Sequence, residues 1–348
     1  MLEKTVGVAV TGLGFVGGQA HVPAVKKIEG AELIAVIDVV EELAKNVAAK
    51  YDVKYYTDFN KALEDPKIEA LIISVPTPFH YNLSSKAIAH GKHVMCEIPL
   101  TPNIADAYKL KDQAKKAGVI LMPDLNFHFV PNYVKAKELI DQGAIGEPIA
   151  LTFSESIAAK DMQAQWPAGS WAWNAEKSGG YPDFTLSQWG IDLIRWLVGR
   201  EIEEVEWMCN YTPLEGLGKF TGYNTAGIVR FSNEAVGVLH YSSTVARGEG
   251  TSRLEVFGSN TKAIRANWNN SLTLTAENET EKKTWSFDAE AKGTRSWGHR
   301  QIDQHFVNCV LCKEKPVVTV DDAVKVQSIA SKMVRNNLVE RLPPIVAR

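Results

Sequence analysis

Apolar residues in the first third of the chain come in short runs separated by amphipathic stretches. Runs near 5–11, 32–38, 53–56, 69–75, 92–97 and 119–124 have the length and β-branched content of buried strands. Between them, stretches near 15–28, 40–50, 59–65, 79–90 and 103–117 repeat their apolar residues at helical spacing. Strand and helix in alternation predict a parallel sheet with helices on both faces, a doubly wound α/β domain. Thr101 followed by Pro102 predicts a helix start, with a side-chain acceptor at the cap and a fixed φ in the first turn. Pro23, inside the first helix, is expected to bend it without ending it.

From Asn126 onward the alternation stops. A helical pattern near 131–142 leads to the run Ile149-Ala150-Leu151-Thr152-Phe153, then to a tryptophan-rich stretch, then to a helix near 182–198. Period-two segments follow near 204–211, 225–232, 235–245, 252–258, 262–266, 271–276 and 283–287. They predict an open, mostly antiparallel sheet with helices on one face, an α+β domain. A last amphipathic helix near 321–336 is expected to return to the first domain. The chain therefore divides into residues 1–124 and 125–320, and 348 residues suit two domains sharing a cleft.

The first strand-helix junction carries chemistry. Gly12-Leu13-Gly14-Phe15-Val16-Gly17 closes the first apolar run and opens the first helix. Gly12 lets the chain turn, Gly14 lets backbone approach a pyrophosphate, and Gly17 lets the helix lie against its strand. The next strand ends on Asp38, whose carboxylate can accept from both ribose hydroxyls of a dinucleotide. Val39, Val40, Glu41 and Glu42 follow, with no cation until Lys45, so a ribose 2′-phosphate would meet carboxylates. NAD is expected, and NADP is disfavoured. A strand-turn-helix that merely packs tightly is the alternative.

Net charge and cysteine usage exclude other classes. A formal charge of −3 and the lack of any Lys/Arg run argue against a nucleic-acid partner. No apolar stretch is long enough to span a bilayer, and Met1-Leu2-Glu3-Lys4 leads straight into the first strand, without the form of a signal peptide. Four cysteines are too few for a disulfide framework, so a reduced, cytoplasmic protein is expected. Cys309-Val310-Leu311-Cys312 has metal-ligand spacing but lies in the amphipathic pattern Phe306 to Leu311. Helix packing is the expected role, and no metal site is expected.

Further motifs narrow the class. Ser74-Val75-Pro76-Thr77-Pro78-Phe79-His80 follows the fourth strand, and Glu97-Ile98-Pro99-Leu100 follows the fifth. Gly179-Gly180 precedes Ile191-Asp192-Leu193-Ile194-Arg195-Trp196-Leu197-Val198-Gly199, with Asn126 and Pro131 between these blocks. In order and spacing the chain resembles the Gfo/Idh/MocA oxidoreductases, the glucose-fructose oxidoreductase and inositol dehydrogenase family, over nearly its whole length. The resemblance implies hydride transfer between nicotinamide and a sugar, cyclitol or similar ring alcohol. It also implies homodimers or homotetramers joined through the C-terminal sheet. Phe15, Val16, Val39, Ser74, Pro76, Thr77, His80, Glu97, Ile98, Pro99 and Asn126 join Gly12, Gly14, Gly17 and Asp38 as cofactor-side residues. His80 equally suits a helix start with no ligand.

The family's proton-transfer residues are absent. Its Glu-Lys-Pro lysine is Ile98 here, and its Asp and His, four residues apart, are Thr185 and Trp189. Arginines common in the family are replaced by Ala172 and His128. Oxidising an alcohol still requires a base for the hydroxyl proton. Asp183, His128 and Tyr181 are the catalytic candidates, although Asp183 also suits a helix cap and His128 a structural role. Lys160, Glu155, His299 and Arg295 are weaker choices. Trp166, Trp171, Trp173, Thr185 and Trp189 are expected on the substrate side, where rings stack on a sugar face, unless the tryptophans are core. Two other functions fit the replacements: an NAD-retaining lyase, hydrolase or epimerase with no net redox change, and a dinucleotide-binding scaffold or sensor.

Overall fold

A computed structural model describes residues 4–167, 170–173, 182–213, 221–267, 271–276, 280, 282–287 and 297–338. The chain forms two compact units. The first comprises residues 1–126, 177–179 and 298–325, and the second comprises 127–176, 180–297 and 326–348.

The first unit is built on β1 (Val6–Thr11), β2 (Ala31–Ile37), β3 (Lys54–Tyr56), β4 (Ala70–Ile73), β5 (His93–Cys96) and β6 (Leu121–Pro123). Their order in the sheet is β3-β2-β1-β4-β5-β6, and every pairing is parallel. This is the strand order of a dinucleotide-binding Rossmann sheet, whose ligand crevice lies outside the carboxyl ends of the strands, between β1 and β4. β1 is buried at all six positions, as a strand covered on both faces must be. Helices α2 (Glu41–Tyr51), α3 (Phe59–Leu63), α4 (His80–Ala89) and α5 (Ile104–Ala117) connect the later strands. The core joins Ala9, Ile37, Leu71, Ile73, Val94 and Leu110 to Val320 and Val324.

Two local details depart from expectation. The cap of α5 is Asn103, which accepts from the Asp106 N–H at 2.9 Å, while the Thr101 hydroxyl donates to the Asn103 carbonyl at 2.5 Å. Thr101 thus braces the turn and the helix starts two residues later than its sequence suggests. The first helix does continue past Pro23, as α1 (Val22–Val25), but the turn before it, Gly17–His21, is a π turn. Pro23 has no N–H to give the carbonyl four residues back, and the Val22 N–H reaches Gly17 instead.

The second unit holds an eight-stranded sheet. Its strands are β7 (Pro148–Ser156), β8 (Ile202–Pro213), β9 (Thr221–Phe231), β10 (Val236–Ser242), β11 (Thr251–Gly258), β12 (Ala263–Asn267), β13 (Ser271–Thr275) and β14 (Lys283–Ser286). The order is β14-β13-β12-β11-β7-β10-β9-β8, antiparallel except for the β7–β10 pair. Alternation sends Leu239 and Tyr241 of β10 inward and Val236, Val238 and His240 outward. The inward face packs with α6 (Pro131–Asp141) and α8 (Pro182–Val198) around Phe153, Leu193, Leu197, Trp207 and Val256. A short helix α7 (Ala159–Gln165) occupies part of the stretch expected to be irregular.

Two terminal helices complete the chain. Helix α9 (His299–Val310) belongs to the first unit and is longer than the Phe306 to Leu311 pattern suggested. Helix α10 (Val320–Leu338), expected to return to the first domain, contributes to both cores. Val320, Ala323 and Val324 join the first core, and Val326, Ile329, Ala330 and Met333 join the second.

Candidate functional site

The glycine turn follows β1 with geometry that only glycine tolerates at two of its positions. Gly12 has φ of 84°, and a Cβ there would lie 2.3 Å from the Ser74 carbonyl oxygen. A Cβ on Gly17 would lie 1.8 Å from the Gly12 carbonyl oxygen, so the helix approaches its own turn too closely for any side chain. Gly14 faces open space. Across the turn, the Leu13 N–H donates to Asp38 Oδ2 at 2.8 Å, and the Val40 N–H donates to Asp38 Oδ1 at 2.9 Å. The carboxylate is therefore fixed in orientation, and each oxygen retains a free lone pair for a ribose hydroxyl. Phe15 and Val39 are exposed beside it.

His80 is engaged within the fold. Its Nδ1 lies 2.8 Å from the Pro99 carbonyl and its Nε2 lies 2.7 Å from the Val75 carbonyl, which ties the loop after β4 to the loop after β5. Burial lowers its pKa against the pull of those two carbonyls. Thr77 Oγ1 and Asn126 Oδ1 are buried and lack a hydrogen-bond partner among the described residues. Ile98, at the family's lysine position, is buried, and its peptide bond to Pro99 is cis.

A second constellation stands at the carboxyl ends of β5 and β6. Glu97 follows β5, Asp124 follows β6, His21 ends the π turn, and α9 contributes His299 and Asp303. His21 Nε2 lies 3.3 Å from both Glu97 Oε1 and Asp124 Oδ2, while its Nδ1 lies 2.9 Å from Asp303 Oδ1. His299 Nε2 is 3.9 Å from Glu97 Oε1 and 3.3 Å from Asn126 Nδ2. The rings of His21 and His299 meet edge to face at 5.1 Å. His21, Asp124 and Asp303 have almost no exposure, whereas the Glu97 and His299 side chains keep 11 % each, which makes them the open rim.

Buried charges in this arrangement shift one another. Burial and the facing Asp124 carboxylate push Glu97 up to about 7, against the attraction of His21. Burial opposes charge on His21, but Asp303, Asp124 and Glu97 together hold it well above an ordinary imidazole. Burial lowers His299 to about 4, only partly resisted by Asp124. Asp124 stays below the usual carboxylate range because its contact with His21 and the charge of His299 outweigh its burial. Sequence reasoning named Glu97 and ranked His299 low, and it missed His21, Asp124 and Asp303. The one available signal was the position of His21, one turn past Gly17 on the helix that the glycine turn opens.

The second unit positions the remaining candidates. His128 Nε2 lies 2.8 Å from Asp192 Oδ2 and its ring stacks on Trp196 at 4.4 Å. Asp192 in turn contacts Arg195, which pairs with Glu201. His128 is thus anchored at the end of a chain of charges. Trp189 stacks on Phe127 at 6.0 Å and meets Trp297 edge to face, with its Nε1 buried and without a partner among the described residues. Thr185 is buried, and Trp166 and Trp171 meet edge to face at 6.3 Å. Asp183 falls in the first turn of α8, and Trp173 ends a short 3₁₀ turn. Tyr181, Arg295 and Gly179-Gly180 lie outside the described residues. Cys309 is buried, and burial pushes its thiol up to about 12, in keeping with helix packing.

A parallel 3-2-1-4-5-6 sheet with a glycine turn after β1 and a carboxylate after β2 defines a dinucleotide-binding protein of the α/β class. Residues 6–125 match the model of an oxidoreductase family with an NAD-binding Rossmann fold, GFO/IDH/MocA, and residues 133–264 match the GFO/IDH/MocA C-terminal domain. The chain is 34 % identical over 255 residues to a myo-inositol 2-dehydrogenase of Thermotoga maritima, covering 72 % of each. It is 28 % identical over 354 residues to a scyllo-inositol 2-dehydrogenase (NAD⁺) of Bacillus subtilis, covering 98 % of this chain and 97 % of the relative. A crystal structure of a probable dehydrogenase from Thermotoga maritima superposes with a TM-score of 0.79 at 27 % identity, covering 97 % and 98 %. The chain belongs to the GFO/IDH/MocA oxidoreductase family, and its cofactor is NAD. Among the described residues, no helix is long and apolar enough to cross a membrane.

Proposed function

We propose that this oxidoreductase transfers hydride between NAD and a secondary alcohol carbon of a sugar, cyclitol or related ring compound. The observation that carries the cofactor half is Asp38. Two backbone N–H groups orient its carboxylate at the end of β2, where it accepts from ribose hydroxyls and repels a 2′-phosphate. The substrate half is supported by the similarity to two inositol dehydrogenases. Gly12, Gly14, Phe15, Val16, Gly17, Val39, Ser74, Pro76, Thr77, Glu97, Ile98, Pro99 and Asn126 are assigned to the cofactor side. His80 serves it indirectly, through the loops it ties.

Proton transfer is assigned to Asp183, with Tyr181 beside it in sequence and His128 as a positioned imidazole. Trp166, Trp171, Trp173, Thr185 and Trp189 are assigned to the substrate. Four free cysteines fit a reducing, cytoplasmic compartment. A homodimer or homotetramer through the outer face of the eight-stranded sheet is supported by Ile149, Met208, Ile228, Val236 and Val238, all exposed there.

The test is turnover of a panel of cyclitols and aldoses, followed at the nicotinamide absorbance band, for the wild-type chain and for Asp183→Asn and His128→Ala. Both variants should lose turnover while NAD affinity stays nearly constant, and unchanged kinetics in both would reject the assignment. Retained NAD with no net absorbance change on any substrate would favour a reaction without net redox. Ile98, Thr185 and Trp189 at the family's catalytic positions leave that reading open.

A further inference from the structure

Glu97 and Asp124 face His21 Nε2 at the same 3.3 Å separation. Two carboxylates share a buried space, and among the described residues neither Asp124 oxygen has a well-aligned hydrogen-bond donor. Its Oδ2 has only the ion-pair contact with His21. Buried carboxylates this close require a proton or a cation between them.

The geometry points to a cation. We propose that His21, Glu97, Asp124 and His299 bind one divalent cation of the zinc, cobalt or manganese kind.

Three observations support the site. The four ligand atoms lie within 4.8 Å of one another. The two 3.3 Å separations from His21 Nε2 match the edge of a tetrahedron whose bonds are about 2.0–2.1 Å, the length of metal bonds to imidazole and carboxylate. Finally, Asp303 stands behind His21. Its Oδ1, 2.9 Å from Nδ1, accepts the Nδ1 proton, so a cation that displaces the other ring proton would find the Nε2 lone pair facing Glu97 and Asp124. A carboxylate behind a ligating histidine is the usual outer partner of a metal site. The donor set of two imidazole nitrogens and two carboxylate oxygens selects borderline cations over calcium or magnesium.

His299 is the adjustable ligand. Its Nε2 is 3.9 Å from Glu97 Oε1, and the Asn126 amide competes for that nitrogen at 3.3 Å. It also stands at the rim with Glu97, so the cation would be reached from that side. All the ligands belong to the first unit, and the proposal stands apart from any identification of the substrate.

The experiment loads the full-length, metal-stripped chain with Co²⁺ alone and reads stoichiometry by elemental analysis and coordination by visible absorption. One equivalent with the intense band of a four- or five-coordinate nitrogen/oxygen site is expected. Asp124→Asn and His299→Gln should each weaken uptake at least tenfold, and Asp303→Asn by roughly 10- to 100-fold, through His21 alone. No stoichiometric uptake by the folded wild-type chain, or uptake unchanged in both ligand variants, overturns the site and leaves a shared proton as the neutralising charge. If the variants do not fold, the wild-type spectrum decides, since a weak six-coordinate aquo-like band also overturns it.

Discussion

The glycine turn and the His21–Glu97–Asp124–His299 constellation stand in the same unit, at the same end of the same sheet, and are built in opposite ways. The turn is a backbone device. Two glycines make room for carbonyl oxygens, and a single carboxylate closes the arrangement through two N–H groups. The constellation is a side-chain device in which buried charges settle one another, with His21 and Asp303 separated by 282 residues in sequence. Sites shaped by backbone leave residue types at fixed spacing, because few residues tolerate the conformation. Sites assembled from side chains leave only common residues at scattered positions.

Replacing Gly17 with Val is the harshest test of the backbone device. Its Cβ would sit 1.8 Å from the Gly12 carbonyl oxygen, and the turn has no way to yield. A loss on the order of 4 kcal/mol or more is expected in chemical denaturation, with NAD binding abolished. A variant of near wild-type stability would show that the turn is not rigid. A control outside both devices is Ile228→Asp, on the exposed sheet face. If that face joins subunits, light scattering should report monomers at concentrations where the wild type associates, with dimer affinity reduced a hundredfold or so. Unchanged mass would remove the face as the interface and leave the first unit's chemistry untouched.

Asp38→Ala should cost roughly 10- to 100-fold in NAD affinity, and the NADP-to-NAD preference should rise, as measured by fluorescence titration. Equal affinities for wild type and variant would mean that the glycines alone carry the dinucleotide. The gentlest probe is an ordinary ion pair elsewhere in the unit. Lys54 and Tyr56 donate to Asp65 and, with the Lys67 N–H, hold its carboxyl down at about 2. A depressed folded-state pKa contributes stability that is complete above the ordinary carboxylate value near 4 and lost as pH falls towards 2. Asp65→Asn should lower the melting temperature by a few degrees at neutral pH and flatten the acid limb over that window. An acid limb identical to wild type would assign it to other carboxylates.

Much of the first unit was legible because central strands such as β1 and β4 are buried on both faces and read as continuous apolar runs. The second sheet was legible as alternation, but the parallel β7–β10 pairing was not, since alternation is silent on partner and direction. Thr101 and Asn103 compete for one helix start, and a choice between two good cap residues rests on which one the following N–H groups reach. His80 fits a cofactor motif yet ties two loops, and His128, the proposed proton-transfer imidazole, is held in place by Asp192. An imidazole declares its chemistry in the sequence and its partners only in the fold. Ile98, Thr185 and Trp189 stand where the resemblance implies a Lys, an Asp and a His, a reading that rests on the sequence motifs alone.

The π turn at Gly17–His21 gives the molecule one place where its register can absorb a change of length. Such a turn holds one residue more than an α-helix needs to advance the same distance. Deleting Gln19 would remove that surplus and let the segment close into ordinary α-helix with its two flanks in nearly the same phase. Gly17 would keep its seat against Gly12, and His21 would keep its approach to Asp303, Glu97 and Asp124, whereas a deletion in regular helix would rotate one flank by about 100°. The dinucleotide dock and the histidine-carboxylate constellation are thus coupled by a helical phase that this segment can hold with or without its surplus residue.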